Sequence, residues 1–337
     1  MNTTYKLVDL AKLLFALFVV AIHTNIFQNN HRIIPYILNY ALFRLAVPFF
    51  FVCSGYFLGC KINKIDNIIE KKAIIKKYIV RLSIMFVFWL LIGLPRQVYD
   101  LRDMSGSLII RTLIKKIIFY PWGALWYILA VIVSVVIMIP FIKKSKIKIA
   151  VILGIVLYFF ALICNNYYFL VENTFIEVIV NKYMQLCISA RNGIFVGLLF
   201  VSIGIWLSEN INKIKPSKAI TVFVISYFIL FIEILIVYGK KTLDDNALFI
   251  SFITLIPSLL TILLMCSKNT KVNWNTKVLR NYSTGIYLIH SPIINILYLA
   301  NIKLNCYESF IIVITLSLLM LTILYKVDNK YINCVIK

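Results

Sequence analysis

A few ionisable side chains stand inside long apolar runs of this sequence, where they are costly and mark sites that face a cavity or a neighbouring helix. Lys12 and His23 are eleven residues apart, close to three helical turns, so a continuous helix sets them on one face about 16 Å apart. A cation and an imidazole on one wall suit anion binding at one end and general-base chemistry at the other, because histidine titrates near neutrality. Arg44 falls about 12 Å below the outer end of the next apolar run, level with His23 if the two helices are neighbours. Arg191 opens a later run, and His290 lies near the middle of another. Of the three histidines, His23 and His290 are in runs and His31 is between them. Spacing alone leaves plainer readings open: His23 as a structural histidine bonded to another helix, and Lys12 as a lysine snorkelling to headgroups. Asp9, about 21 Å from His23 on a straight helix, cannot form a dyad with it. Glu233 sits near an end of its run, is read as interfacial and receives no role.

The elements that position these residues follow from composition. Of 337 residues 62% are hydrophobic and 14% charged, against about 25% charged in a soluble domain. A membrane helix takes about 20 apolar residues, so the chain has room for about ten spans and none for a folded extramembrane domain. The expectation is an all-α, polytopic integral membrane bundle forming a single domain over residues 1–337. Apolar runs place spans at Leu7 to Thr24, Tyr36 to Gly59, Tyr78 to Leu94, Ala124 to Ile142, Ile149 to Tyr168, Asn192 to Leu207, Ala219 to Tyr238, Leu248 to Cys266, Tyr282 to Ala300 and Ser309 to Tyr325. Leu108 to Tyr120, with Arg111, Lys115 and Lys116 on a polar face, is expected to lie in the membrane surface.

The net charge of +22 would suggest nucleic acid in a soluble protein; here it reads as basic loops against anionic lipid, with no nucleic-acid partner. Even-numbered connections and the terminal segments carry 22 Lys and Arg, the opposite set ten. The bias places both termini in the cytoplasm of a cell-membrane protein. Seven cysteines without CxxC spacing signal neither a metal site nor a disulfide framework and are read as packing residues. The N-terminus has no secretory cleavage pattern, so Leu13 to Ile22 is expected to remain as the first membrane helix.

These segments resemble the membrane acyltransferase family 3. Asp9-Leu10-Ala11-Lys12, then ten residues, then His23, is similar to its first-helix signature. Arg44-Leu45-Ala46-Val47-Pro48-Phe49-Phe50-Phe51 with Ser54-Gly55-Tyr56-Phe57 resembles the second. Leu125-Trp126-Tyr127-Ile128 and Tyr287-Leu288 with His290 and Pro292 resemble two later motifs, in the right order over nearly the whole chain. With Arg191-Asn192-Gly193-Ile194-Phe195, the sequence looks most like the membrane domain of VanT-type serine racemases; their racemase domain is not in this sequence, so racemisation is not expected of it. Two positions depart from the pattern. Lys12 stands where arginine is usual, which keeps the charge but loses a bidentate fork for phosphate, and Ala124 stands where many members have histidine.

The resemblance implies ten membrane helices and transfer of an acyl group, most often acetyl, from cytoplasmic acyl-CoA to a hydroxyl of a surface glycan or lipid-linked sugar. His23 would then be the general base in a mostly dehydrated site, and Arg44 would face the developing oxyanion or an anionic part of the acceptor. Lys12 would meet donor phosphate, and Arg191, His290 and Trp126 would contact substrate; acyl-CoA is the donor and no metal is implied. The rival class is a transporter of a small solute such as serine, whose carboxylate the same cations would bind. The sequence shows neither paired broken helices nor an inverted repeat of the kind many transporters carry.

Overall fold

In the computed structural model, residues 5–27, 33–142, 146–245, 247–269, 276–327, 329 and 334–336 are described. His31, Arg32, Lys143, Lys144, Lys271, Lys330 and Lys337, all used in the charge and histidine arguments, lie outside them. The described residues are helical with no strand. Thirteen α-helices run in order: α1 Lys6–His23, α2 Ile33–Ala41, α3 Ala46–Ile62, α4 Ile68–Asp100, α5 Gly106–Phe119, α6 Leu125–Met138, α7 Ile147–Ile163, α8 Phe175–Cys187, α9 Leu198–Asn210, α10 Pro216–Val237, α11 Phe252–Asn269, α12 Thr276–Leu299 and α13 Cys306–Val327. Five helical segments among them are long and apolar enough to cross a membrane, and three further apolar helices are shorter. The chain is thus a multi-pass membrane protein.

The expected second span is broken. It forms α2, a 3-10 turn at Phe43–Leu45 that contains Arg44, and α3. Pro48 explains where α3 starts. It has no N–H to return to the Arg44 carbonyl, and proline fits a first helical turn but not an interior. A second irregularity precedes α9, where Gly193–Gly197 is wound as a π-turn and Asn192 caps it through the amides of Ile194 and Phe195. The structure therefore holds one interrupted helix where the sequence showed none, because Phe43 and Leu45 keep the run apolar on both sides of Arg44, whereas the π-turn opens α9 without interrupting it. The fifth expected span is also shorter, since α7 ends at Ile163 and the buried Asn165 accepts hydrogen bonds from the amides of Ala247 and Leu248. Except for Tyr120, the stretch Leu108 to Tyr120 is helical and lies within α5, which buries no residue. Helix α8, short and polar on one side, escapes a search for apolar runs.

The chain packs as two compact units interleaved in sequence. The first comprises Met1–Ala46, Arg81–Trp126 and Thr270–Lys337; the second comprises Val47–Val80 and Tyr127–Asn269. In the first, α12 packs along both α1 and α13. The Ser283 hydroxyl donates to the Lys12 carbonyl at 2.8 Å, and Tyr325 donates to the Asn281 carbonyl at 2.8 Å. The Phe43–Leu45 turn leans on the His23 end of α1 through Phe43, whose ring meets Phe18 at 5.0 Å and stacks on Phe27 at 5.5 Å.

In the second unit α9 is nearly all buried and crosses α3 where Gly55 faces the Val201 backbone and Gly204 faces that of Val52, leaving no room for a Cβ. Small residues at such crossings let membrane helices approach closely and gain dispersion contacts. Helix α10 packs on α11 and exposes Val224, Phe228 and Leu235, as a lipid-facing surface would. Glu233, which the sequence left without a role, is buried near the end of α10. Its carboxylate accepts from the Tyr167 hydroxyl and from the amides of Ile250 and Ser251, at 2.9 Å each, just ahead of α11. A carboxylate there satisfies amides at a helix entrance and meets the positive end of its dipole.

Candidate functional site

The first unit brings together most of the residues singled out from the sequence. Helices α1 and α12 are the two long helices too polar to qualify as independent spans. Helix α1 has Lys6, Asp9 and Lys12 within 18 residues, and α12 carries Lys277, Arg280, Asn281, Ser283, His290 and Asn295. They pack against each other, so much of that polarity is turned inward. On α12, residues 283, 287 and 290 repeat at helical spacing and form one face. Ser283 reaches α1 at Lys12, and His290 reaches it at His23.

His23 is the last residue of α1 and is exposed. Its ring centroid lies 5.1 Å from that of His290, which is fully buried. The dehydrated surroundings expected of His23 therefore belong to His290. The His290 Nδ1 lies 3.0 Å from the Ile286 carbonyl oxygen. A carbonyl only accepts, so Nδ1 carries the proton and Nε2 has a lone pair. That Nε2 is buried and meets no hydrogen-bond partner among the described residues. Tyr287 stands beside it, ring centroids 6.1 Å apart, and donates its hydroxyl to the Ala124 carbonyl at 2.7 Å. Ala124 thus offers its backbone carbonyl to Tyr287.

Lys12, three turns below His23, is half-buried. Asp9, one turn further on, is 3% exposed; it lies within electrostatic reach of Lys12 and Arg280 and takes a hydrogen bond from Thr276. The far end of the α1–α12 pair is therefore a cationic cluster with one buried carboxylate inside it. Arg44 is 6% exposed in its 3-10 turn, with its guanidinium carbon 5.7 Å from the Tyr40 ring centroid, a cation–π distance. Trp126 is buried and stacks on Tyr120 at 6.1 Å.

Arg191 lies in the second unit, with partners of its own. It grips Asp244 through Nε at 3.0 Å and Nη2 at 2.7 Å, and Asp245 through Nη1 at 2.7 Å. Ser189 adds its hydroxyl to Asp244 at 2.5 Å and accepts from the Arg191 amide. This bidentate clamp ties the loop after α10 to the turn before α9. Sequence reasoning missed the two aspartates, which lie in a polar loop with no motif around them. It also missed Ser283, which its spacing from His290 could have revealed, and named Tyr287 only as part of a motif, without a role.

The fold is that of a multi-pass membrane helix bundle whose most polar helices pair around two imidazoles, with cations at the opposite end. Comparison with known proteins makes the class specific. The family model for the acyltransferase domain matches residues 5–325, and the chain belongs to this acyltransferase 3 family. It is 23% identical over 334 residues to an amino-acid racemase of Enterococcus faecalis, covering 96% of this chain and 46% of that protein. A second amino-acid racemase of Enterococcus faecalis is 28% identical over 228 residues, 66% of this chain and 30% of its own length. The serine/alanine racemase of Enterococcus gallinarum is 26% identical over 251 residues, 73% of this chain and 35% of its own. The chain thus spans less than half the length of these relatives. No solved structure matches it.

Proposed function

We propose that the chain is a membrane O-acyltransferase that moves an acyl group, acetyl in the simplest case, from cytoplasmic acyl-CoA to a hydroxyl of a surface glycan or lipid-linked sugar. The observation that carries this reading is the α1–α12 pair. An exposed imidazole at one end stands against a buried one, and a cationic cluster lies about 16 Å along the same helix, of the order of a pantetheine arm. Ten membrane passes with both termini in the cytoplasm put Lys12 and Arg280 on the donor side. In the reaction, His23 takes the proton of the acceptor hydroxyl as its oxygen attacks the thioester carbonyl. The new C–O bond forms, the C–S bond breaks, and the proton passes to the departing thiolate. Arg44 meets negative charge on the oxyanion or the acceptor, His290 and Trp126 contact substrate, and Lys12 and Arg280 hold donor phosphate. The direct test compares cell-surface polymers by mass spectrometry with and without the gene; an acyl mass difference is expected, and its absence counts against the reading.

Two observations favour a second reading, transport of a small amino acid. The relatives' names concern amino acids, and a helix broken at Phe43–Leu45 is a device of transporter sites. The two readings separate by ligand. Thermal stabilisation of the purified protein by acetyl-CoA supports transfer; stabilisation by serine with none from any acyl-CoA supports transport.

A further inference from the structure

On the side of α12 next to the histidine pair, the first unit encloses a cavity of about 10 Å³, enough for one water-sized group. Among its walls are Trp89 and Gly93 of α4, Trp122 ahead of α6, and Leu288, Pro292 and Asn295 of α12. Trp122 is 8% exposed, and its indole Nε1 is shielded from solvent without a hydrogen-bond partner, a condition that native proteins tolerate for few groups. Pro292 has no N–H, so the Leu288 carbonyl one turn earlier receives no helical hydrogen bond. Asn295 adds an amide and Ser291, also in the lining, a hydroxyl, and each can donate and accept. Trp89 is different: its Nε1 donates to the Val335 carbonyl at 2.8 Å, which leaves only its ring surface. Gly93 is where the Trp122 indole comes too close for a Cβ.

An indole N–H, a carbonyl acceptor, a hydroxyl and an amide around space for one heavy atom discriminate among occupants. A methyl group would leave the N–H and the carbonyl unmet, an anion would face the carbonyl oxygen, and a cation would face the indole N–H. A hydroxyl both donates and accepts, and the neighbouring indole surfaces suit the apolar face of the ring that bears it. Tyr287 also lines the cavity, and its ring centroid lies 6.1 Å from that of His290. We propose that this niche seats a non-reacting hydroxyl of a pyranose-like acceptor ring and so helps to present another hydroxyl to His23. The assignment rests on the acyl-transfer reading for its purpose, but its binding test does not.

The test uses the full chain in lipid nanodiscs with methyl β-D-glucopyranoside as probe and tetrahydropyran, the same ring without hydroxyls, as control. Tryptophan emission should change on titration with the glycoside and not with tetrahydropyran. Asn295→Leu keeps every indole and should weaken the response at least fivefold; Trp122→Phe keeps an aromatic ring without the N–H and should do the same, whereas Trp206→Phe in the second unit should leave it intact. With radiolabelled acetyl-CoA, the KM for the glycoside should rise about tenfold in Trp122→Phe and Asn295→Leu, with kcat changed less. A glycoside response weakened by both niche variants but without acetyl transfer would uphold the niche and count against the acyltransferase reading. Acetyl transfer with an unchanged KM in both variants would overturn the niche and leave that reading standing. No emission response, or an equal one to tetrahydropyran, would mean that the cavity holds an ordered water only.

Discussion

His23 and His290 are separated by 5.1 Å between ring centroids, yet one imidazole is exposed and the other fully buried. Replacing each should therefore have a different consequence. His23→Gln is expected to lower acyl transfer by roughly 10²-fold or more with folding intact, the usual scale for a lost general base. His290→Ala removes a buried ring and its bond to Ile286, so it should cost stability on the order of 1–3 kcal/mol, read as a lower melting temperature. Full specific activity in His23→Gln would remove α1 as the catalytic wall and turn attention to His290.

Lys12 offers a test of the donor end. Lys12→Arg adds a planar fork suited to phosphate, so acyl-CoA should bind as tightly or more tightly, whereas Lys12→Ala should raise the donor KM several-fold. Equal donor affinity in both variants would point to a lysine that only snorkels.

Membrane orientation can be read by labelling. In a cysteine-free variant, a cysteine at Asn63, in the loop after α3, should be protected from an impermeant maleimide in whole cells, and one at Asn301, between α12 and α13, should react. The reverse pattern would invert the proposed topology and with it the donor side.

Arg191 should behave as a structural residue. Arg191→Ala leaves Asp244 and Asp245 without their shared cation, and breaking such a partly buried pair costs about 3 kcal/mol. Arg191→Lys should rescue little of it, because an ammonium cannot reproduce the two-pronged grip on Asp244. A melting temperature unchanged in Arg191→Ala would show that the clamp adds nothing to stability.

What could be read in advance depended on how local each signal was. Helices α1, α10 and α13 follow from continuous apolar runs, and α5 from its amphipathic pattern. The break at Phe43–Leu45 was hidden because phenylalanine and leucine continue through it; only Pro48 marks it. Arg44 and Lys12 were visible as rare charges in apolar surroundings. The partners of Arg191 and Glu233 were not, because Asp244, Asp245 and Ser251 lie in stretches without periodicity and meet their partners only in the folded chain. The approach of His290 to His23 is a long-range contact of the same kind. The sequence supplied both histidines but not which would be buried.

The pairing of α1 with α12 bears on how the protein is made. Each is too polar to rest comfortably in lipid alone, and Ser283 meets Lys12 across 271 residues of chain. During synthesis α1 emerges before α12 and must wait for its partner while the helices between them are inserted. Until then its buried face, with Asp9 and Lys12, needs shelter at the translocon or from an insertase. Nascent chains stopped before residue 276 should thus keep α1 loosely anchored and open to quality-control proteolysis, and extension beyond residue 299 should abolish that sensitivity.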